Sequence, residues 1–159
     1  MAFCYNVLVN SNPIKNMWTL IGLLIITGSF VLFFSSKTSV LVHQVMVANA
    51  SIEVELAQTE AKRELGPSGH KPLADNEGML FIFDQPKIYS FWMKDMLFSL
   101  DMVWVGSDFK IVDITHNAKL ESYPATFSPK EPAIYVLEIN TGVAEKNNWQ
   151  IGDEVKFLQ

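Results

Sequence analysis

"SFWMKDMLFSLDMVWV", residues 90–105, decides how the rest of this 159-residue chain is read. Successive side chains of a β-strand point to opposite faces. Read as strand, the first part puts Phe91, Met93 and Asp95 on one face, with Ser90, Trp92 and Lys94 on the other. In the second part Leu100, Met102 and Trp104 face away from Asp101, Val103 and Val105. Lys94 and Asp101 therefore each sit among apolar neighbours, where a charge requires a partner or access to water.

Strand patterns continue on both sides of this stretch. "MLFIF" (79–83) is a continuous apolar run expected to be buried on both faces. "KIYSFWM" (87–93), "LDMVWV" (100–105), "FKIVDITH" (109–116), "AIYVLEI" (133–139) and "EVKFL" (154–158) are further predicted strands. Upstream, "HQVMVAN" (43–49) and "SIEVELA" (51–57) alternate with period two; Ile52, Val54 and Leu56 oppose Glu53 and Glu55. Thr59 is placed to cap a short helix over "EAKREL" (60–65), which Gly66 and Pro67 end. Residues 141–149 predict one or two helical turns, and the turn-rich segments 66–78 and 117–132 predict loops. The fold class is mainly β: a compact β-sandwich or small barrel with one or two short helices.

Charge is unevenly distributed. All 17 acidic residues lie at or after Glu53, while residues 1–52 hold only Lys15 and Lys37. The remainder carries 10 basic against 17 acidic side chains, a formal net charge of −7, which argues against a nucleic-acid partner. Between the two early lysines runs "NMWTLIGLLIITGSFVLFFSS" (16–36), 21 residues without a charge. At about 1.5 Å per residue, a helix of that length matches the hydrocarbon thickness of a bilayer. We therefore expect a cytoplasmic tail over 1–15, a transmembrane signal anchor over 16–36, a tether over 37–43 and an extracytoplasmic β domain over 44–159. A cleavable signal peptide is the alternative, but no clean cleavage site follows Phe34 directly. The lone cysteine, Cys4, precedes the anchor, so the exported domain is held by its core rather than by disulfides.

Four stretches in order, "IEVELA" (52–57), "GMLFIF" (78–83), "FWMKDMLFSLDMVWV" (91–105) and "YVLEINTG" (135–142) with "GDEV" (152–155), resemble the domain of unknown function 192 family. The family's central motif usually reads FWMKN where this chain has Asp95, and Leu65-Gly66-Pro67 stands where the family often carries Gly-Leu-Met. The resemblance implies a compact, mainly β domain, often exported, and brings no activity with it.

Three accounts compete for the charges in the apolar stretch. Lys94 pairs with Asp101 or Glu138 and Trp92 packs over its stem. Alternatively, Trp92 and Trp104 offer flat walls of a binding cleft with Lys94, Asp101 and Glu138 as its polar groups. In the third, Asp101 and Glu138 act as acid and base. The expected function is an uncharacterised membrane-anchored module that binds a small molecule, saccharide or protein. The alternatives are a hydrolase of envelope polysaccharide using Asp101 and Glu138, and a purely structural envelope module. His43, His70 and His116 lie apart without metal-ligand spacing, and no nucleotide or serine-hydrolase motif occurs, so no metal or cofactor is expected.

Overall fold

A computed structural model describes residues 43–158. The tail expected over 1–15 and the span over 16–36 lie outside them, as does the tether over 37–43 except for His43, which begins the first strand. Among the described residues no helix is long and apolar enough to cross a membrane.

The described residues form nine strands: β1 (His43–Val47), β2 (Ala50–Ala57), β3 (Glu77–Lys87), β4 (Phe91–Trp92), β5 (Leu100–Val105), β6 (Ile111–Ala118), β7 (Thr126–Phe127), β8 (Ala133–Asn140) and β9 (Val155–Leu158). Helices α1 (Glu60–Leu65) and α2 (Val143–Lys146) are short. The capping signals act as read: the Thr59 hydroxyl accepts from the Lys62 amide at 3.3 Å, and Gly66 ends α1 with φ 52°.

Seven strands make one sheet in the order β6-β5-β8-β3-β2-β1-β9, and β4 and β7 pair as a separate ribbon. The first and last strands of that order meet. Lys110 and Glu154 form a bridge, the Ile111 amide donates to the Asp153 carbonyl at 3.0 Å, and the Val155 amide donates to the Phe109 carbonyl at 2.8 Å. The sheet thus curls into a barrel joined at one end. Val45, Ile52, Val54, Leu80, Val103, Leu137 and Ile139 form its aliphatic interior together with Trp149.

A second apolar layer lies on the outer face of the central strands. Met79, Phe81, Leu100, Met102, Trp104 and Val136 pack there, covered by the β4–β7 ribbon and by Met93, Met96 and Phe98. Every residue of β5 is buried because both of its faces are covered. Trp104 is fully enclosed; its indole N–H donates to the Thr115 hydroxyl at 3.0 Å and its ring meets Phe91 edge-on at 5.2 Å. Gly78, the second residue of β3, sits where the neighbouring strand approaches closely. A Cβ there would lie 2.8 Å from the Glu138 carbonyl oxygen, so no larger side chain fits without displacing backbone.

Of the strand expected over 87–93, Lys87 ends β3 and only Phe91 and Trp92 form β4, so the alternation read on to Asp95 stops at Trp92. Residues 93–96 turn, with Asp95 in the left-handed region at φ 55°. Met93 and Met96 drop into the outer layer while Lys94 and Asp95, between them, stay exposed. The two charges therefore sit at the tip of a hydrated turn whose flanks are greasy. Among the described residues Lys94 joins no ion pair, so the expected pairing with Asp101 or Glu138 is corrected. Its ammonium instead sits 6.0 Å from the Trp92 ring centroid. The segment 117–132, expected to be loop, supplies β7, because Thr126 and Phe127 find Trp92 and Phe91 to pair with.

Candidate functional site

Glu138 sits in the middle of β8, with Met79 of β3 and Met102 of β5 as its cross-strand partners. Directly opposed residues of an antiparallel pair share a face, so Glu138 points into the outer layer. It is 3% exposed and its Oε2 has no hydrogen-bond partner among the described residues. Desolvation disfavours the ionised form, and burial pushes this carboxyl from its ordinary 4.5 up to about 8. At neutral pH the group is a neutral acid, able both to donate and to accept.

Glu138 lines a cleft of about 250 Å³. Phe81 and Phe83 of β3 line it together with Tyr89, Phe91 and Trp92; Glu60, Arg63 and Glu64 of α1 and the turn Gly66–Ser68 contribute as well, with Met96. The rings order one another. Phe83 stacks on Tyr89 at 3.7 Å, and Phe91 meets Phe81 edge-on at 4.9 Å. Burial raises the Tyr89 phenol above its usual value, with Asp84 acting in the same direction and Arg63 opposing it. Arg63 fastens α1 to the sheet: Nη1 donates to the carbonyls of Gln58 at 2.5 Å and Ile82 at 3.0 Å, and the guanidinium lies 5.3 Å from the Phe83 ring centroid. On the other side, the Ser68 hydroxyl donates to the Lys94 carbonyl at 2.9 Å and the Gly69 amide donates to that of Asp95 at 3.2 Å. The turn after α1 and the turn after β4 are therefore tied together beside the cleft.

Of the five residues singled out in the sequence, the cleft is lined by Trp92, 52% exposed, and by Glu138. Lys94 stands beside Trp92 without lining the cleft. Trp104 is no wall of it, being enclosed in the outer layer. Asp101 pairs across the sheet with Ile139 rather than with Glu138, so the two carboxyl groups project from opposite faces. That separation corrects their expected joint use as acid and base. Asp101 is occupied elsewhere: it accepts from the amides of Asn117 and Gly142, each at 2.9 Å, and of Ala144 at 3.2 Å, and from the Thr141 hydroxyl at 3.4 Å. It binds the start of α2 and the end of β6 to β5, a structural task. Among the described residues no group of three or more His, Cys, Asp or Glu side chains is placed to hold a metal ion.

The sequence reading expects Phe81 and Phe83 in a strand buried on both faces and gives no part to Tyr89, Arg63 or Ser68. A signal was available for Phe81, Phe83 and Phe91, which recur at strand spacing. Arg63 and Ser68 had none, because their roles arise from contacts between segments distant in sequence.

Residues 43–157 match the family described as Uncharacterized ACR, domain of unknown function 192. The chain belongs to this family. It is 30% identical over 111 residues to the UPF0127 protein of Pyrococcus horikoshii, covering 67% of this chain and 88% of that one. Two crystal structures are similar. One, of a protein of unknown function from Novosphingobium aromaticivorans, has a TM-score of 0.67 and 32% identity over 71% of this chain and 83% of that one. The other, of a protein from Sinorhizobium meliloti described as a candidate transcription regulator, has a TM-score of 0.70 and 31% identity over 77% of this chain and 98% of that one. The turn explains why this family member accepts Asp95 where the family motif has asparagine. The position needs a positive φ, and Asn and Asp are the side chains that enter that region most readily.

Proposed function

We propose that this domain of unknown function 192 is a binding module whose cleft takes a small, largely apolar molecule carrying one polar group. The observation that carries the proposal is the unpartnered, buried carboxyl of Glu138 in a cleft lined with aromatic rings. Buried polar groups are almost always satisfied, and one left open in a cleft fits a ligand that completes it. The 250 Å³ volume suits a molecule smaller than those held by the roughly 300 to 1,000 Å³ clefts of drug-sized ligands. In this proposal the uncharged stretch 16–36 anchors the module in a membrane, with the acidic domain on the extracytoplasmic side. A role in transcription is not carried over from the Sinorhizobium meliloti protein, because a formal charge of −7 after residue 52 repels a phosphate backbone.

Indole, neutral and flat, is a suitable first probe for the full-length protein in detergent micelles. Amide and indole resonances of Gly66, Ser68, Phe91 and Trp92 are expected to shift on its addition. Saturating indole that leaves these four unmoved would end the binding proposal. Release of the chain from membranes by high salt alone would end the anchor.

A further inference from the structure

We propose that the ligand of this cleft is a small protonated amine with an aromatic or alkyl body, whose N–H donates to Glu138. The inference rests on the binding role proposed above and names the chemistry of the ligand.

Oε2 of Glu138 has no partner among the described residues, and an ammonium is the donor that the ionised carboxyl rewards most. The surroundings favour a cation over an anion. Rings of Phe81, Phe83, Phe91 and Trp92 line the cleft, and aromatic faces attract cations more strongly once water is excluded. The guanidinium of Arg63, the cation among the lining residues, already donates to the Gln58 and Ile82 carbonyls. Glu60 and Glu64 line the same cleft, so an anion would meet three carboxyl groups. Lys94 stands outside, against Trp92. Tyr89 is the remaining titratable side chain of the lining.

Proton balance follows from burial. Burial holds Glu138 as the neutral acid at pH 7, since its carboxyl is raised to about 8. An entering ammonium reverses that preference, because an opposite charge within a few ångströms favours the ionised carboxyl. The Glu138 proton leaves to the buffer, the amine keeps its own, and a carboxylate–ammonium pair forms. Close to one proton is released for each amine bound.

Titration calorimetry of the full-length protein at pH 7, with benzylamine and benzyl alcohol in phosphate and in Tris, tests this. Benzylamine is expected to bind at least tenfold tighter than the alcohol. Its heat should differ between the two buffers by the difference between their protonation enthalpies, for about one proton per amine bound. Glu138→Gln should retain the alcohol and abolish the preference for the amine. Equal affinity of the two probes without proton release would overturn the amine and leave the binding module standing. If neither probe binds, both proposals fall. The two-buffer comparison on the unaltered protein decides the matter even if the variant folds poorly.

Discussion

The two faces of the central strands each bury one acid, and the two acids are treated in opposite ways. On the barrel's inner face Asp101 meets three backbone amides and a hydroxyl. On the outer face Glu138, one position out of register with it, has an oxygen that meets no donor among the described residues. The inner layer is mostly aliphatic and holds Asp101 at the end where α2 begins; the outer layer is rich in Met, Phe and Trp and opens into the cleft. Burial alone therefore does not mark a functional residue. The supply of donors tells the two apart: Asp101 is fully partnered and structural, and Glu138 is the acid on which the proposed binding role rests.

The sharpest way to break this comparison is pH. Folded Glu138 keeps its proton up to about pH 8, whereas the unfolded chain loses it near the ordinary 4.5. Between those values the folded state binds more protons, so stability must fall as pH rises through the window. The contribution is fully present below 4.5 and gone above about 8. At about 1.4 kcal/mol per pH unit the loss is on the order of 5 kcal/mol. Urea unfolding of the unaltered protein and of Glu138→Gln across pH 5 to 9 should diverge by that order; parallel curves would place the carboxyl in water.

The opposite test removes the satisfied acid. Asp101→Ala strands several buried amides at once and should cost about 4 kcal/mol in denaturant unfolding at neutral pH, since each lost charge-assisted bond is worth about 1.5 to 3. A loss below about 1 kcal/mol would show that water replaces the carboxylate. The close approach beside Glu138 is probed by Gly78→Ala. Its new methyl meets backbone at 2.8 Å, and a destabilisation of about 2 kcal/mol is expected from thermal unfolding. The smallest effects belong to the turn next to the cleft. Asp95→Val forces a β-branched residue to positive φ and should cost about 1 to 2 kcal/mol, while Asp95→Asn should stay within about 0.5. A valine variant as stable as the asparagine one would mean that the turn opens into a strand.

Much of the frame was legible in the chain. Period-two runs gave β2, β5 and β8 nearly to the residue, and Thr59 with Gly66 bounded α1, because alternation and capping are local and act through neighbouring atoms. The β4–β7 ribbon was illegible. Its strands are two residues long, joined across more than thirty residues, and no periodicity survives in so short a run. The alternation assumed through "SFWMKDM" failed for a related reason. Burying Met93 and Met96 together and leaving Lys94 and Asp95 wet outweighs the strand's preference for continuing.

Sequence alone determined that the chain is mainly β, that all its acidic charge is carried after residue 52, and that Asp101 and Glu138 lie within apolar strands. Those facts are set by residue types and short-range spacing. Tertiary structure alone decided that the sheet closes on itself through Lys110 and Glu154, and which acid found donors. A hydrogen bond is won or lost over a few tenths of an ångström. The partners of Asp101 come from residues 16 to 43 positions away, and the cleft beside Glu138 is assembled from segments spread over nearly eighty. No local pattern encodes such meetings; they exist only once the barrel has closed and its outer face has been covered.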